Sequence, residues 1–125
     1  MNIEAGKIVD SELEVMRVLW AHNEPVALSE LIQALGEKKG WKDPTTKTIV
    51  RNLRIKGSIE LVSRGQYVPV VTEDEYNEWS THNFIGKMFD GSAKKLVASL
   101  LSDGQLTEED IAELYAELNG GGKNE

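Results

Sequence analysis

Residues 43–57 read Asp43-Pro44-Thr45-Thr46-Lys47-Thr48-Ile49-Val50-Arg51-Asn52-Leu53-Arg54-Ile55-Lys56-Gly57, and the fold turns on this stretch. Asp43 suits an N-cap, Pro44 suits the first helical position, and Gly57 supplies the C-terminal stop. Thr46, Ile49, Val50 and Leu53 repeat at the spacing of one buried helical stripe, with Thr46 its one polar member. The opposite face carries Thr45, Lys47, Thr48, Arg51, Asn52 and Arg54 and no acidic residue.

Working outward, two more helices precede this one. Ser11-Glu12-Leu13-Glu14 has the pattern of a capping box, and Leu13, Met16, Leu19 and Trp20 follow at helical spacing as far as Pro25. Leu28, Leu31, Ile32 and Leu35 mark a second helix, closed by Gly36 or Gly40. Downstream, Ile59, Leu61 and Ser63 alternate, Arg64-Gly65-Gln66 turns, and Tyr67, Pro69 and Val71 return. This predicts a hairpin whose second strand Pro69 demotes to an edge. Three helices and a hairpin are the elements of a winged helix-turn-helix, a mainly α fold with a small β-hairpin. Residues 1–71 are therefore expected to form a winged-helix domain.

Residues 72–118 predict helices only. Thr72 with Glu75 opens one, Gly91-Ser92 restarts a second, and Thr107 with Asp110 caps a third. Their apolar residues include Phe84, Met88, Phe89, Leu96, Val97, Leu100, Leu101, Ile111, Leu114, Tyr115 and Leu118. So short a segment buries too little surface to stand alone, so these side chains are expected to form a dimer interface. The competing expectation is that they pack within one compact domain. Residues 119–125, rich in glycine, are expected to be a disordered tail.

Composition bounds the function. The chain has 125 residues, 40% of them apolar, and no cysteine, which excludes disulfides, thiolate metal sites and a cysteine nucleophile. No apolar run is long enough to span a membrane and the N-terminus lacks a signal pattern, so a cytoplasmic protein is expected. Net charge is −7, but unevenly spread. Residues 1–71 hold ten basic and nine acidic residues, and residues 72–125 hold four and twelve. Between residues 38 and 64 there are eight basic residues against two acidic ones. A polyanion is drawn to that segment and repelled by the C-terminal third.

The third helix is the candidate site. Thr45, Thr48 and Arg51 are expected to contact bases, because guanidinium reaches guanine edges and threonine offers a hydroxyl and a methyl. Asn52 has the groups to bind adenine. Lys42, Lys47 and Arg54 suit the phosphate backbone. Arg64 at the hairpin tip is either a wing contact or an ordinary exposed turn residue, and Trp41 is expected to anchor the core. His22 and His82 have no serine or carboxylate arrangement around them, so no catalytic residue, metal or cofactor is expected. The acidic clusters at Glu73–Glu75 with Glu78, and at Glu108–Asp110, sit at helix starts, where they favour the macrodipole. A hydrolase using them is one alternative to DNA binding. A winged helix serving only protein contacts, as a module of a larger assembly, is the other.

The ordered set of motifs resembles the BlaI/MecI penicillinase and methicillin repressor family, which also includes copper-responsive CopY repressors. The resemblance runs from Ser11–Trp20 through Trp41, Thr45, Lys47-Thr48, Leu53 and Lys56-Gly57 to Tyr67-Val68-Pro69. It continues in Asn83-Phe84-Ile85, Phe89–Ser92 and Leu96-Val97. It implies a DNA-binding transcriptional repressor acting as a homodimer on a palindromic operator. The family usually has an apolar residue at position 46 and arginine at position 52, and a longer wing. It also implies a regulatory protease that cuts an Asn–Phe bond in the dimer arm. That bond corresponds here to Ser99-Leu100, whereas Asn83-Phe84 lies elsewhere. The paired-cysteine metal tail of the copper-responsive members is absent.

Overall fold

The computed structural model describes residues 1–121. Its helices start largely where side chains can satisfy the first free backbone N–H groups. Thr72 Oγ1 accepts from Glu75 N–H at 3.1 Å, and Glu75 returns the bond to Thr72 N–H at 2.9 Å. Thr107 and Asp110 exchange the same pair of bonds at 3.0 Å each. Ser92 Oγ caps the Lys95 N–H at 3.1 Å. The Thr72 N–H, with help from Asn2, holds the Glu75 carboxyl below the usual carboxylate range. These acidic residues are thus occupied in starting helices.

In chain order, a 3-10 turn, Ile3–Lys7, precedes α1 (Asp10–Ala21), β1 (Val26–Ala27), α2 (Leu28–Lys39) and α3 (Asp43–Lys56). Then come β2 (Ile59–Ser63), β3 (Gln66–Pro69), α4 (Glu73–Phe89), α5 (Ala93–Ser102) and α6 (Glu108–Ala116), and a π-helical turn closes at Glu117–Gly121. The expected tail therefore begins within that last turn, and residues 122–125 lie outside the described residues.

Two expected caps move by one or two residues. Glu12 Oε1 accepts from the Val9 N–H at 3.1 Å, so Val9, not Ser11, is the cap position of α1. Lys42, not Asp43, stands at the cap position of α3, which places Asp43 in the first turn beside Pro44. Its charge there still favours the helix N-terminus.

The sheet has three antiparallel strands in the order β1-β3-β2. β3 is therefore central, not the edge strand that Pro69 suggested. The proline is tolerated because β1 pairs only with Gln66 and Tyr67, leaving Pro69 opposite Ile59 of β2 alone. At the tip, Arg64 (φ 29°) and Gly65 (φ 74°) both take positive φ, as a two-residue hairpin turn of this twist requires. Leu28 N–H donates to Gly65 C=O at 2.9 Å, tying the tip to the start of α2.

The chain divides into two compact units, Met1–Thr81 and the remainder from His82. The division falls after Thr81 rather than after Val71, because the first half of α4 packs on the winged domain. Trp20 donates its indole N–H to Val71 C=O at 2.9 Å, and its ring lies 5.8 Å from Tyr76. Tyr76 in turn meets Trp79 at 6.3 Å. Trp79 lies so close to the N-terminal 3-10 turn that a Cβ on Gly6 would stand 2.7 Å from its ring, so only glycine fits there. The core of this unit joins Val15, Met16 and Leu19 of α1, Leu31 and Leu35 of α2, Val50 and Leu53 of α3, and Ile59 and Tyr67 of the sheet.

In the second unit, none of the described residues is buried. Phe84 and Phe89 meet edge to face at 5.8 Å. Met88, Leu114, Tyr115 and Leu118 are all more than half exposed.

Thr46 is fully buried, and its hydroxyl is the one buried side-chain polar group among the described residues without a hydrogen-bond partner. An unmet buried hydroxyl costs about 1–3 kcal/mol. Thr46→Val, which keeps the shape, should therefore raise unfolding stability by about 1 kcal/mol in urea denaturation. A loss of stability instead would show that the hydroxyl has a partner.

Candidate nucleic-acid interface

The rotation of α3 follows from what it buries. Thr46, Val50 and Leu53 are buried and Ile49 is half-buried, so this stripe faces α1 and α2. At about 100° per residue, Ile55, Thr48 and Arg51 lie closest to the line opposite it. Lys47 and Arg54 flank that line on one side and Asn52 and Thr45 on the other, and all seven residues are exposed. The backbone of Lys42 accepts from the N–H groups of Thr45 (2.9 Å) and Thr46 (3.3 Å), which sets the start of the helix. Trp41, half-buried against the core, holds the preceding turn, as expected for an anchor.

A part-buried ion pair engages the other end. Lys56 Nζ donates to Glu12 Oε1 at 2.6 Å and to Lys7 C=O at 2.8 Å. The Glu12 side chain is 5% exposed, and the same oxygen takes the Val9 N–H. Lys56 therefore does not belong to the open basic surface that the sequence count suggested. Lys38 is also engaged, 3.7 Å from Glu14. Among the described residues, the side chains of Lys42, Lys47, Arg51, Arg54 and Arg64 have no ion pair or hydrogen bond, and neither does Asn52.

Apart from Arg64, these unpaired cations and the amide lie on α3 or at its cap, where Asp43 in the first turn is the one carboxylate. Guanidinium and ammonium groups in that state are free to bind phosphate or guanine, and the Asn52 amide can bind adenine. Arg64 stands apart from this group, on the hairpin tip. It makes no hydrogen bond or ion pair to α3 among the described residues, and its backbone is pinned through Gly65 to α2. Its positive φ is unfavourable for a residue with a Cβ, so the turn holds it there at some cost. No cluster of three or more histidine or acidic side chains among the described residues could hold a metal ion.

The sequence pattern passed over Ile55. It is 71% exposed, although it was not counted on the polar face because it is apolar. Helical angle alone, applied without regard to residue type, would have found it.

Glu12→Ala should destabilise the chain by about 2 kcal/mol in urea denaturation. This is less than the cost of breaking a fully buried pair, because the Lys56 side chain is 30% exposed. A loss below about 0.5 kcal/mol would show that the pair does not hold α3.

A family profile described as penicillinase repressor matches residues 8–120. The penicillinase repressor of Bacillus licheniformis is 33% identical over 112 residues, which is 87% of either chain. The methicillin resistance regulatory protein MecI of Staphylococcus aureus (strain N315) is 28% identical over 122 residues, 95% of this chain and 98% of its own. The solution structure of the DNA-binding domain of the repressor BlaI superposes with a TM-score of 0.51 at 33% identity. It covers 56% of this chain and 88% of that domain. With its helices, its small three-stranded antiparallel sheet and its likeness to that domain, the fold is a winged helix. The chain belongs to the penicillinase repressor family, a family of transcriptional repressors and not of enzymes.

Proposed function

We propose that this chain is a sequence-specific, cytoplasmic DNA-binding repressor that acts as a homodimer on a palindromic operator. The observation that carries the DNA reading is the outward face of α3, where Lys47, Thr48, Arg51, Asn52 and Arg54 are exposed and Asp43 in the first turn is the one acidic residue of the helix. Thr48 and Arg51, near the centre of the face, contact base edges together with Thr45. Asn52 binds adenine, and Lys42, Lys47 and Arg54 take the flanking phosphates. Arg64 is the contact of the wing. Relatives named as repressors, and a similar domain named for DNA binding, support the same reading.

The dimer reading rests on the second unit, where Phe84, Met88, Phe89, Leu96, Val97, Leu100, Leu101, Ile111, Leu114, Tyr115 and Leu118 remain exposed or half-exposed. So much uncovered apolar surface calls for a partner. A second copy supplies it and gives the two-fold symmetry needed to read two half-sites. Among the described residues no helix is long and apolar enough to cross a membrane. Proteolytic release, as the family resemblance implies, would need a bond other than the usual one, since Ser99-Leu100 stands at that position.

Selection of bound DNA from a random pool by the full chain should return a palindrome with two half-sites. On that site Arg51→Ala, and separately Thr48→Ala, should weaken binding while leaving the fold intact, by about 1–3 kcal/mol for the arginine. Lys47→Ala should weaken all sequences alike and reduce the salt slope by about one. Unchanged affinity in both base-contact variants would remove the site assignment. A pool with no retained DNA at low salt would favour a protein-contact module instead.

Leu114→Asp should yield a monomer in sedimentation equilibrium, with operator affinity reduced at least tenfold and the circular dichroism of the winged domain retained. A dimer that persists through this change would place the subunit contact elsewhere.

A further inference from the structure

Ile55 is 71% exposed, while the other aliphatic side chains of α3 (Ile49, Val50, Leu53) are half-buried or buried. Single exposed apolar residues are ordinary on protein surfaces. This one differs in its position, within about 10° of the line opposite the buried stripe. Thr48, Arg51, Asn52 and Ile55 form one continuous row at i, i+3, i+4 and i+7. Ile55 lies about 6 Å along the axis from Arg51, about 4.5 Å from Asn52 and about 10 Å from Thr48. Its neighbour Lys56 is turned away toward Glu12 and Lys7, so no long side chain from that position covers it.

If Arg51 and Asn52 reach base edges, a side chain one turn further along the same row, at the middle of the face in helical angle, is turned toward the same groove. Ile55 has no hydrogen-bonding group to offer there. The one apolar feature a base pair presents in the major groove is the C5-methyl of thymine. We infer that Ile55 is a specificity-determining residue that packs on a thymine methyl, one to two base pairs from the base contacted by Arg51. This rests on the reading of α3 as the DNA-contacting helix.

The test uses the full chain and its selected operator. Each thymine of the half-site is replaced in turn by uracil, which removes only the C5-methyl, and Kd is measured for the unmodified chain and for Ile55→Ala. One thymine should stand out. Its replacement should weaken binding of the unmodified chain about fourfold, the worth of one buried methyl. Ile55→Ala should weaken binding to the thymine operator at least as much, and should lose nothing further on the uracil operator. Losses that add at every position, or a half-site without thymine within two base pairs of the Arg51 contact, overturn the inference. If Arg51→Ala still weakens binding in that case, only the Ile55 contact falls. A pool that yields no bound site overturns the reading of α3 and this inference together.

Discussion

The winged domain depends on how α3 is held in rotation. A helix that buries one narrow stripe can present only the opposite face, and a turn of one residue about its axis would exchange much of one set for the other. Thr46, Val50 and Leu53 supply the apolar part of that constraint. The Lys56–Glu12 pair adds a polar contact at one end of the helix. A short charge-assisted hydrogen bond adds to the packing at that end of the helix.

The same pair connects parts that are distant in sequence. Glu12 also starts α1 through the Val9 N–H, and Lys56 also reaches the carbonyl of Lys7, at the end of the N-terminal 3-10 turn. That turn in turn lies against Trp79 of α4 across Gly6. The start of α1, the end of α3 and the first half of α4 therefore share one set of contacts.

Charge is distributed to the same end. The acidic residues of the C-terminal third are spent partly on caps, as at Glu75 and Asp110, and the rest leave that region strongly negative. A polyanion is thereby directed to the winged domain, where the cations near the outward face of α3 have no internal partner. Thr46 leaves a hydroxyl sealed in the core without a partner. Nothing in the structure explains why threonine stands there.

Most of the local structure was legible in the sequence. The caps at Thr72, Ser92 and Thr107, the stop at Gly57, and the stripe Thr46-Ile49-Val50-Leu53 are short-range patterns whose physics lies within one turn of chain. The candidate face of α3 followed from that stripe, and so did the order of helices and hairpin. Tertiary structure alone decided the remainder. β1 is two residues long, too short for any periodicity, and exists because Val26 and Ala27 find Tyr67 and Gln66. That pairing made β3 central despite Pro69. Lys56 counted as one more surface cation until Glu12, far away in sequence, claimed it. Trp79 belonged by pattern to the helical arm, yet Gly6 and Tyr76 draw it to the winged domain. Sequence spacing determined which residues share a face of a helix. Only the folded chain could decide which of them are already engaged, because engagement depends on partners that the chain brings together from a distance.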